Sequence, residues 1–308
     1  MLTDRLGLFF FRLLIGVFRI LPDGIIRQIA QFIAFLFEHI IGYRKKVIVS
    51  NLKIVFPEKK EEEIKAITHQ VYISLADNLT ETIKSFSRSK EDLMQHMTIT
   101  NPEFLDKYFK EDQSIILLGG HFYSWELAVQ GTPLFVKYPV YGVYKPLSNA
   151  LVGDALYSLR NRFGSIPIAM NQTLRVIIKN KKTPSLYVFI ADQSPSNVKS
   201  AHWLSFFGRP TGFLQGADKI ARLTGYPVLY YTIKRTKRGF YTLTFSELCP
   251  TPKTKKEGEI TYLFAQKLSQ NILEDPYGWL WSHKRWKRQM PKNAKILTGG
   301  SPCPPSDN

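Results

Sequence analysis

The sequence predicts an α/β fold, a mixed central sheet flanked by helices, with helices at the N-terminus that seek a membrane. Three observations lead there. From about residue 114 the chain carries short β-branched or aromatic runs of strand length: SIILL, YPVYGVY, SLYVFIA, PVLYYTI and FYTLTF. Helical stretches near 125–136, 148–163, 172–182 and 213–224 fall between them, the alternation of a layered α/β domain. The segment PVLYYTIKRTKRGFYTLTF reads as a late hairpin, which makes the sheet mixed rather than wholly parallel.

The N-terminal segment, 1–42, holds LGLFFFRLLIGVFRIL and IIRQIAQFIAFLFEHIIG. Neither run ends in the small-residue cleavage site of a signal peptide. Arg12 and Arg19 interrupt the first, which falls short of the roughly 20 clean residues of a transmembrane helix. Arginines on an aromatic and aliphatic helix fit a segment lying in the bilayer interface, their heads reaching to lipid headgroups. A buried amphipathic pair of helices is the alternative. A domain over 43–290 follows. It opens on the basic YRKKVIVSNLKIVFPEKK, broken at Pro57, and continues with a helix over 61–86 whose apolar residues recur at threes and fours. The stretch near 213–224 stops at Gly225 with Pro227 beyond, a helix C-terminal signal. A last amphipathic helix covers 258–273, and the Pro-, Gly- and Ser-rich tail, 291–308, is expected to lack fixed structure.

With 308 residues, 44% of them hydrophobic, the chain buries a sizeable core. Lys and Arg outnumber Asp and Glu 42 to 25, a formal charge of +17 that calls for an anionic partner. Nucleic acid, an anionic membrane and an acidic carrier protein all satisfy that demand. Cys249 and Cys303 have neither metal-ligand spacing nor a disulfide framework.

The chemistry centres on GGHFYSWE, residues 119–126. On one continuous helix His121 and Glu126 would stand roughly 140° apart and never meet. If SIILLGG is a strand and a helix starts near Ser124 as N-cap, His121 lies in the turn and Glu126 in the first helical turn. A glutamate there reaches back to the imidazole, and the pair sits beyond a strand's carboxyl end, where open α/β sheets bind ligands. A histidine oriented by a carboxylate is a general base. A capped turn with a solvated histidine is the plainer reading of the same residues. A second strand ends in ADQSPS, and if it runs parallel to the first, Asp192 and Gln193 emerge beside His121; otherwise Asp192 starts a polar turn. Arg160 and Arg162, in RNRFG, end a helix, where they either hold an anionic substrate group or complement the dipole. GxSxG, HExxH and a phosphate-cradling glycine loop are missing.

Taken together, these segments resemble the bacterial lipid A biosynthesis acyltransferases, the lauroyl and myristoyl branch of the glycerolipid acyltransferase superfamily. The likeness runs through RKKVIVSNLKIVFPE, GGHFYSWELA, RNRFG, ADQSP, LSFFGRPTGFLQGADKIARLTGYPV and WLWSHKRWK, in the family's order. The resemblance implies a glycerolipid-acyltransferase-like fold and an O-acyltransferase associated with the cytoplasmic face of the bacterial inner membrane. His121 and Glu126 would form its HxxxxE pair, with the glutamate orienting the ring. Arg160, Arg162, Asp192 and Gln193 would belong to the substrate site. An acyl chain would pass from acyl carrier protein, or from coenzyme A, to a hydroxyl of an anionic lipid A precursor, with no metal and no cofactor. One pair departs from the family, which usually has Gly-Asn where this chain has Tyr123-Ser124. A tyrosine beside the base would alter the acceptor's approach and leaves open another acceptor: a lysophospholipid, a glycolipid or an amino-acid lipid. The rival class is a basic binding protein without chemistry, to which the aromatic and basic WLWSHKRWKRQ lends some support. The greasy N-terminus favours a membrane over nucleic acid as its partner.

Overall fold

The computed structural model describes residues 2–299. Its N-terminal part is helical: α1 (Leu2–Ile20), α2 (Asp23–Phe35) running into one π-helical turn (Leu36–Ile40), α3 (Lys45–Val55), α4 (Glu61–Ser85) and α5 (Lys90–His96). Glu61, Glu62 and Glu63 fill the first turn of α4, where the positive end of the helix dipole favours carboxylates. The Glu63 carboxylate also accepts the Lys60 N–H at 3.1 Å. Ser89 caps α5 through the Asp92 N–H.

The α/β part contains β1 (Met97–Ile99), α6 (Asp106–Lys110), β2 (Ile115–Gly119), α7 (Trp125–Gly131), β3 (Val140–Tyr144), α8 (Ala150–Asn161), β4 (Ser165–Ala169), α9 (Thr173–Lys179) and β5 (Leu186–Ile190). Then come β6 (Ala201–Phe206), β7 (Arg209–Leu214), α10 (Gly216–Thr224), β8 (Val228–Lys237), β9 (Phe240–Cys249) and α11 (Glu259–Glu274). Seven strands form one sheet in the order β1-β9-β8-β2-β5-β3-β4. Neighbours are parallel except the β8–β9 hairpin, so the sheet is mixed with its antiparallel portion late in the chain, as expected. Strand β2 lies at the centre and is buried along its whole length, which is why SIILL is continuously apolar rather than alternating.

Some elements differ from the expectation. SIPIA forms edge strand β4, although only a helix end was read there. Residues 213–214 are the last two of β7, and the helix expected from 213 starts at Gly216. It ends at Gly225, φ +79°, as the Gly-x-Pro signal requires. Part of the tail is also ordered: the Leu297 N–H donates to the Trp203 carbonyl at 2.7 Å, pairing residues 296–297 with β6. Residues 300–308, Cys303 among them, lie outside the described residues.

Among the described residues no single helix is long and apolar enough to cross a bilayer; only the bent pair Asp23–Ile40 and Lys45–Val55, at 89°, reaches that length and apolarity together. The α2 helix buries Ile26, Ala30 and Ala34 and leaves Phe32 and Phe35 in solvent. On α1, Phe9, Phe10, Leu13 and Ile20 are exposed, as are Arg12 and Arg19. One face of α2 is thus buried against the body, and α1 and α2 both carry apolar side chains that stand in solvent. Lys84 of α4 donates to the carbonyls of Phe18, Arg19 and Leu21 and fixes the end of α1 to the body.

Candidate active site

The register of β2 on β5 pairs Gly119 with Ile190, so the two strands end side by side. His121 and Asp192, each two residues further on, therefore meet. A Cβ at Gly119 would overlap the Tyr231 ring of β8, so only glycine passes this point. The turn that follows is held from outside by residues 275–281, which form a strap. The Tyr123 N–H donates to the Gly278 carbonyl at 2.8 Å and the Leu280 N–H to the His121 carbonyl at 3.0 Å.

Asp192 is the hub. Its Oδ1 lies 2.6 Å from His121 Nδ1, while Oδ2 accepts the His121 backbone N–H at 2.9 Å and the Trp279 indole N–H at 2.8 Å. Burial of this carboxyl, only 2% exposed, acts to raise its pKa. Attraction to the His121 ring in its protonated form, with the hydrogen bonds from His121 and Trp279, outweighs burial and pulls it down to about 2. Asp192 is therefore a carboxylate at neutral pH and only accepts, so that Nδ1 carries a proton and the neutral form of the ring keeps its lone pair on Nε2. The Gln193 amide nitrogen lies 3.4 Å from that Nε2, and the Trp125 ring meets the imidazole edge-on with centroids 5.1 Å apart.

The carboxylate on the ring is thus Asp192, not Glu126, and here the expected geometry is corrected. Glu126 does sit in the first turn of α7, but its two oxygens receive Arg160 Nη2 at 2.6 Å and Nε at 2.9 Å, a bidentate pair. The pair also answers for Arg160, whose fork is directed at Glu126 rather than left open for a substrate anion. Arg162 donates to the Ser85 carbonyl at 2.8 Å. Sequence reading placed Asp192 and Gln193 at the edge of His121 if the strands are parallel, and the arginines at a helix end, but could not show which cation would claim which carboxylate.

Tyr123-Ser124 also differs from the expectation. Tyr123 has φ +44°, the left-handed region where glycine is favoured. Its ring turns away from the imidazole, packs on Gly278 and Tyr241 and under the Arg235 guanidinium, and its hydroxyl donates to Asp275 at 2.6 Å. The phenol therefore adds no bulk beside the base. Ser124 stands at the N-cap position without a capping hydrogen bond. It is fully buried, near the Glu81 carboxyl of α4. Burial first, and then the Asp77 charge, push Glu81 up to about 7, against the pull of Ser124, Tyr241 and Arg88.

Trp279, Asp275 and Glu81 were not singled out from sequence. Trp279 does fall in the quoted WLWSHKRWK, whereas Glu81 is hidden in an ordinary helical pattern. Within the strap's continuation, His283 Nε2 accepts the Ser194 N–H at 2.9 Å, and burial pushes the imidazole down to about 4, so it is neutral. Among the described residues two groups have metal-ligand chemistry, Glu38 with His39 and His69, and Asp23 with Asp92 and His96. Neither includes a residue of the His121 site. Glu38 is already bonded to His69, and the Arg88 guanidinium pairs with both aspartates of the second group.

A histidine held by a buried carboxylate, at the carboxyl edge of an α/β sheet, is an arrangement able to take a proton from a hydroxyl. The match to known proteins gives the class its family: residues 2–288 fit the model of the bacterial lipid A biosynthesis acyltransferases, and the chain belongs to that family. It is 25% identical over 282 residues to the lipid A biosynthesis acyltransferase of Haemophilus influenzae, covering 90% of this chain and 89% of that one. To the lipid A biosynthesis lauroyltransferase of Escherichia coli it is 22% identical over 270 residues, 87% of each chain. The protein is an acyltransferase.

Proposed function

We propose that the protein transfers a fatty acyl chain from acyl carrier protein to a hydroxyl of a lipid A precursor, at the cytoplasmic face of the inner membrane, with His121 as general base. The contact of His121 Nδ1 with the Asp192 carboxylate, 2.6 Å, carries the reading, because it selects the tautomer whose Nε2 can take up a proton. The acceptor oxygen attacks the thioester carbonyl carbon as its proton passes to Nε2. The tetrahedral intermediate then collapses, the carbon–sulfur bond breaks, and the Nε2 proton goes to the departing sulfur. No acyl-enzyme forms, and the imidazole returns to its starting state. Asp192 stabilises the transient imidazolium.

Glu126 and Arg160 act as a fixed pair at the head of α7. Arg162 and Gln193 border the acceptor path, with the Gln193 amide close enough to contact the attacking oxygen. The formal charge of +17 suits both an acidic carrier protein and an anionic lipid. The exposed aromatic faces of α1 and α2 suit insertion into the interface. Lipid mass spectrometry of cells lacking the gene tests the acceptor: lipid A should be short of one acyl chain, restored by the wild type and not by His121→Ala. Unchanged lipid A with a deficit in another acylated lipid would replace the acceptor while leaving acyl transfer in place.

A further inference from the structure

Apart from the N-terminal helices, a second group of large apolar side chains stands in solvent: Leu147 and Val152 at the start of α8, Met170 after β4, and Leu174 and Ile178 on α9. Leu147 is 51% and Ile178 59% exposed. The segments that carry them adjoin. The Met170 N–H donates to the Tyr144 carbonyl at 2.9 Å, so β4 leaves the sheet beside the end of β3, three residues before Leu147. On the other side α1 approaches α8 at one point, where a Cβ at Gly7 would touch Leu151 at 3.5 Å. The strands β3 and β4 end at the same edge as β2 and β5, the edge that bears His121 and Asp192.

Charge picks the occupant. Residues 155–191 contain six cations, Arg160, Arg162, Arg175, Lys179, Lys181 and Lys182, and no carboxylate. The first two have the protein partners described above, and the other four are exposed on or just after α9. Along α9, Leu174 and Ile178 recur at i and i+4, with Arg175 and Lys179 one step round the helix, so that an apolar line runs beside a basic one. Apolar side chains that enter acyl chains, with cations held at headgroup depth, are what an anionic bilayer surface selects.

We propose that the face made by the start of α8, the exit of β4 and α9 docks on an anionic bilayer, in continuity with α1, and brings the carboxyl edge of the sheet to the lipid. The proposal rests on a membrane lipid being the acceptor. It adds a second docking element, remote in sequence from residues 1–42, which grips the site's own edge of the sheet.

An environment-sensitive fluorophore on Ile178→Cys, in a full-length Cys303→Ser background, tests it with phosphatidylcholine vesicles made with or without phosphatidylglycerol. The expected result is a blue shift that needs the anionic lipid. In parallel, Leu174→Glu with Ile178→Glu should lower vesicle partitioning about tenfold, with activity on detergent-dispersed acceptor unchanged. A probe that stays in water while the protein binds vesicles overturns the proposal, since α1 and α2 would then hold the membrane alone. A blue shift without vesicles that grows with protein concentration overturns it too, by assigning the face to a second copy of the chain. Failure of acyl transfer from every donor would remove the proposed function but leave the probe's answer intact.

Discussion

Asp192 holds His121 at two points, accepting from the ring Nδ1 and from the backbone N–H of the same residue. One carboxylate therefore fixes both where the imidazole stands and how it is turned. Asp192→Asn should keep the fold but lose control of the tautomer, because an amide can donate to Nδ1 as well as accept from it. The expected loss in kcat is on the order of 10²–10⁴-fold with acceptor KM little changed, measured by transfer of labelled acyl chains.

Trp279 supplies the third hydrogen bond to that carboxylate. Trp279→Phe removes the donor and keeps most of the ring, so the Asp192 pKa should rise from about 2 toward its ordinary value. A carboxyl with a depressed folded pKa contributes stability above its unfolded pKa, and that contribution is lost as pH falls through the folded value. The wild type should thus lose it between about pH 4 and pH 2. The variant should lose it at a higher pH, seen as an earlier onset of acid unfolding by circular dichroism.

Glu126→Gln and Arg160→Gln should both be costly, for a reason apart from proton transfer. Each leaves one member of a mostly buried ion pair alone, at about 3–5 kcal/mol. Arg160→Lys should not rescue, since an ammonium cannot make the two-pronged contact. A drop in melting temperature that parallels the loss of activity would mark the pair as a support for α7. Loss of activity with full stability would instead bring Glu126 into the chemistry.

Glu81 gives the opposite pH signature to Asp192. Its folded pKa, about 7, lies above the ordinary 4.5. The folded state therefore binds the extra proton between those values, and stability falls as pH rises through this window. Glu81→Gln should flatten that slope, with a gain at pH 8 of up to about 3 kcal/mol by chemical denaturation.

At Tyr123 two effects compete. Tyr123→Gly relieves a left-handed backbone worth about 1 kcal/mol, but it also empties the space between Gly278 and Tyr241 and leaves Asp275 without its phenol. The cavity dominates at roughly 3–5 kcal/mol, so the glycine usual in the family should destabilise this chain. Acceptor preference should not change, as product analysis by mass spectrometry would show.

The sheet was legible because its strands are buried runs with helices between them, and the hairpin because its two halves differ sharply from their basic turn. Edge strand β4 was not, since SIPIA holds a proline and an outward Ile166 and so lacks the apolar continuity of β2. For the site, the strand ends put Asp192 on the edge of His121 on condition that the two strands run parallel, and they do. The choice of partner was out of reach, because Arg160 competes for Glu126 across 34 positions and no spacing rule covers such a distance. The direction of the Tyr123 ring was equally hidden. It depends on a positive φ and on a carboxylate 152 residues downstream.

The strap of residues 275–281 has a consequence in time. Everything that binds or reacts at the turn is synthesised early or midway, yet the Tyr123, His121 and Asp192 contacts wait for Asp275, Gly278, Trp279 and Leu280. A nascent chain therefore exposes α1 and α2 to its surroundings long before its histidine is clamped. Ribosome-stalled chains ending before residue 275 should already carry the apolar N-terminal faces while the turn that holds His121 is not yet clamped.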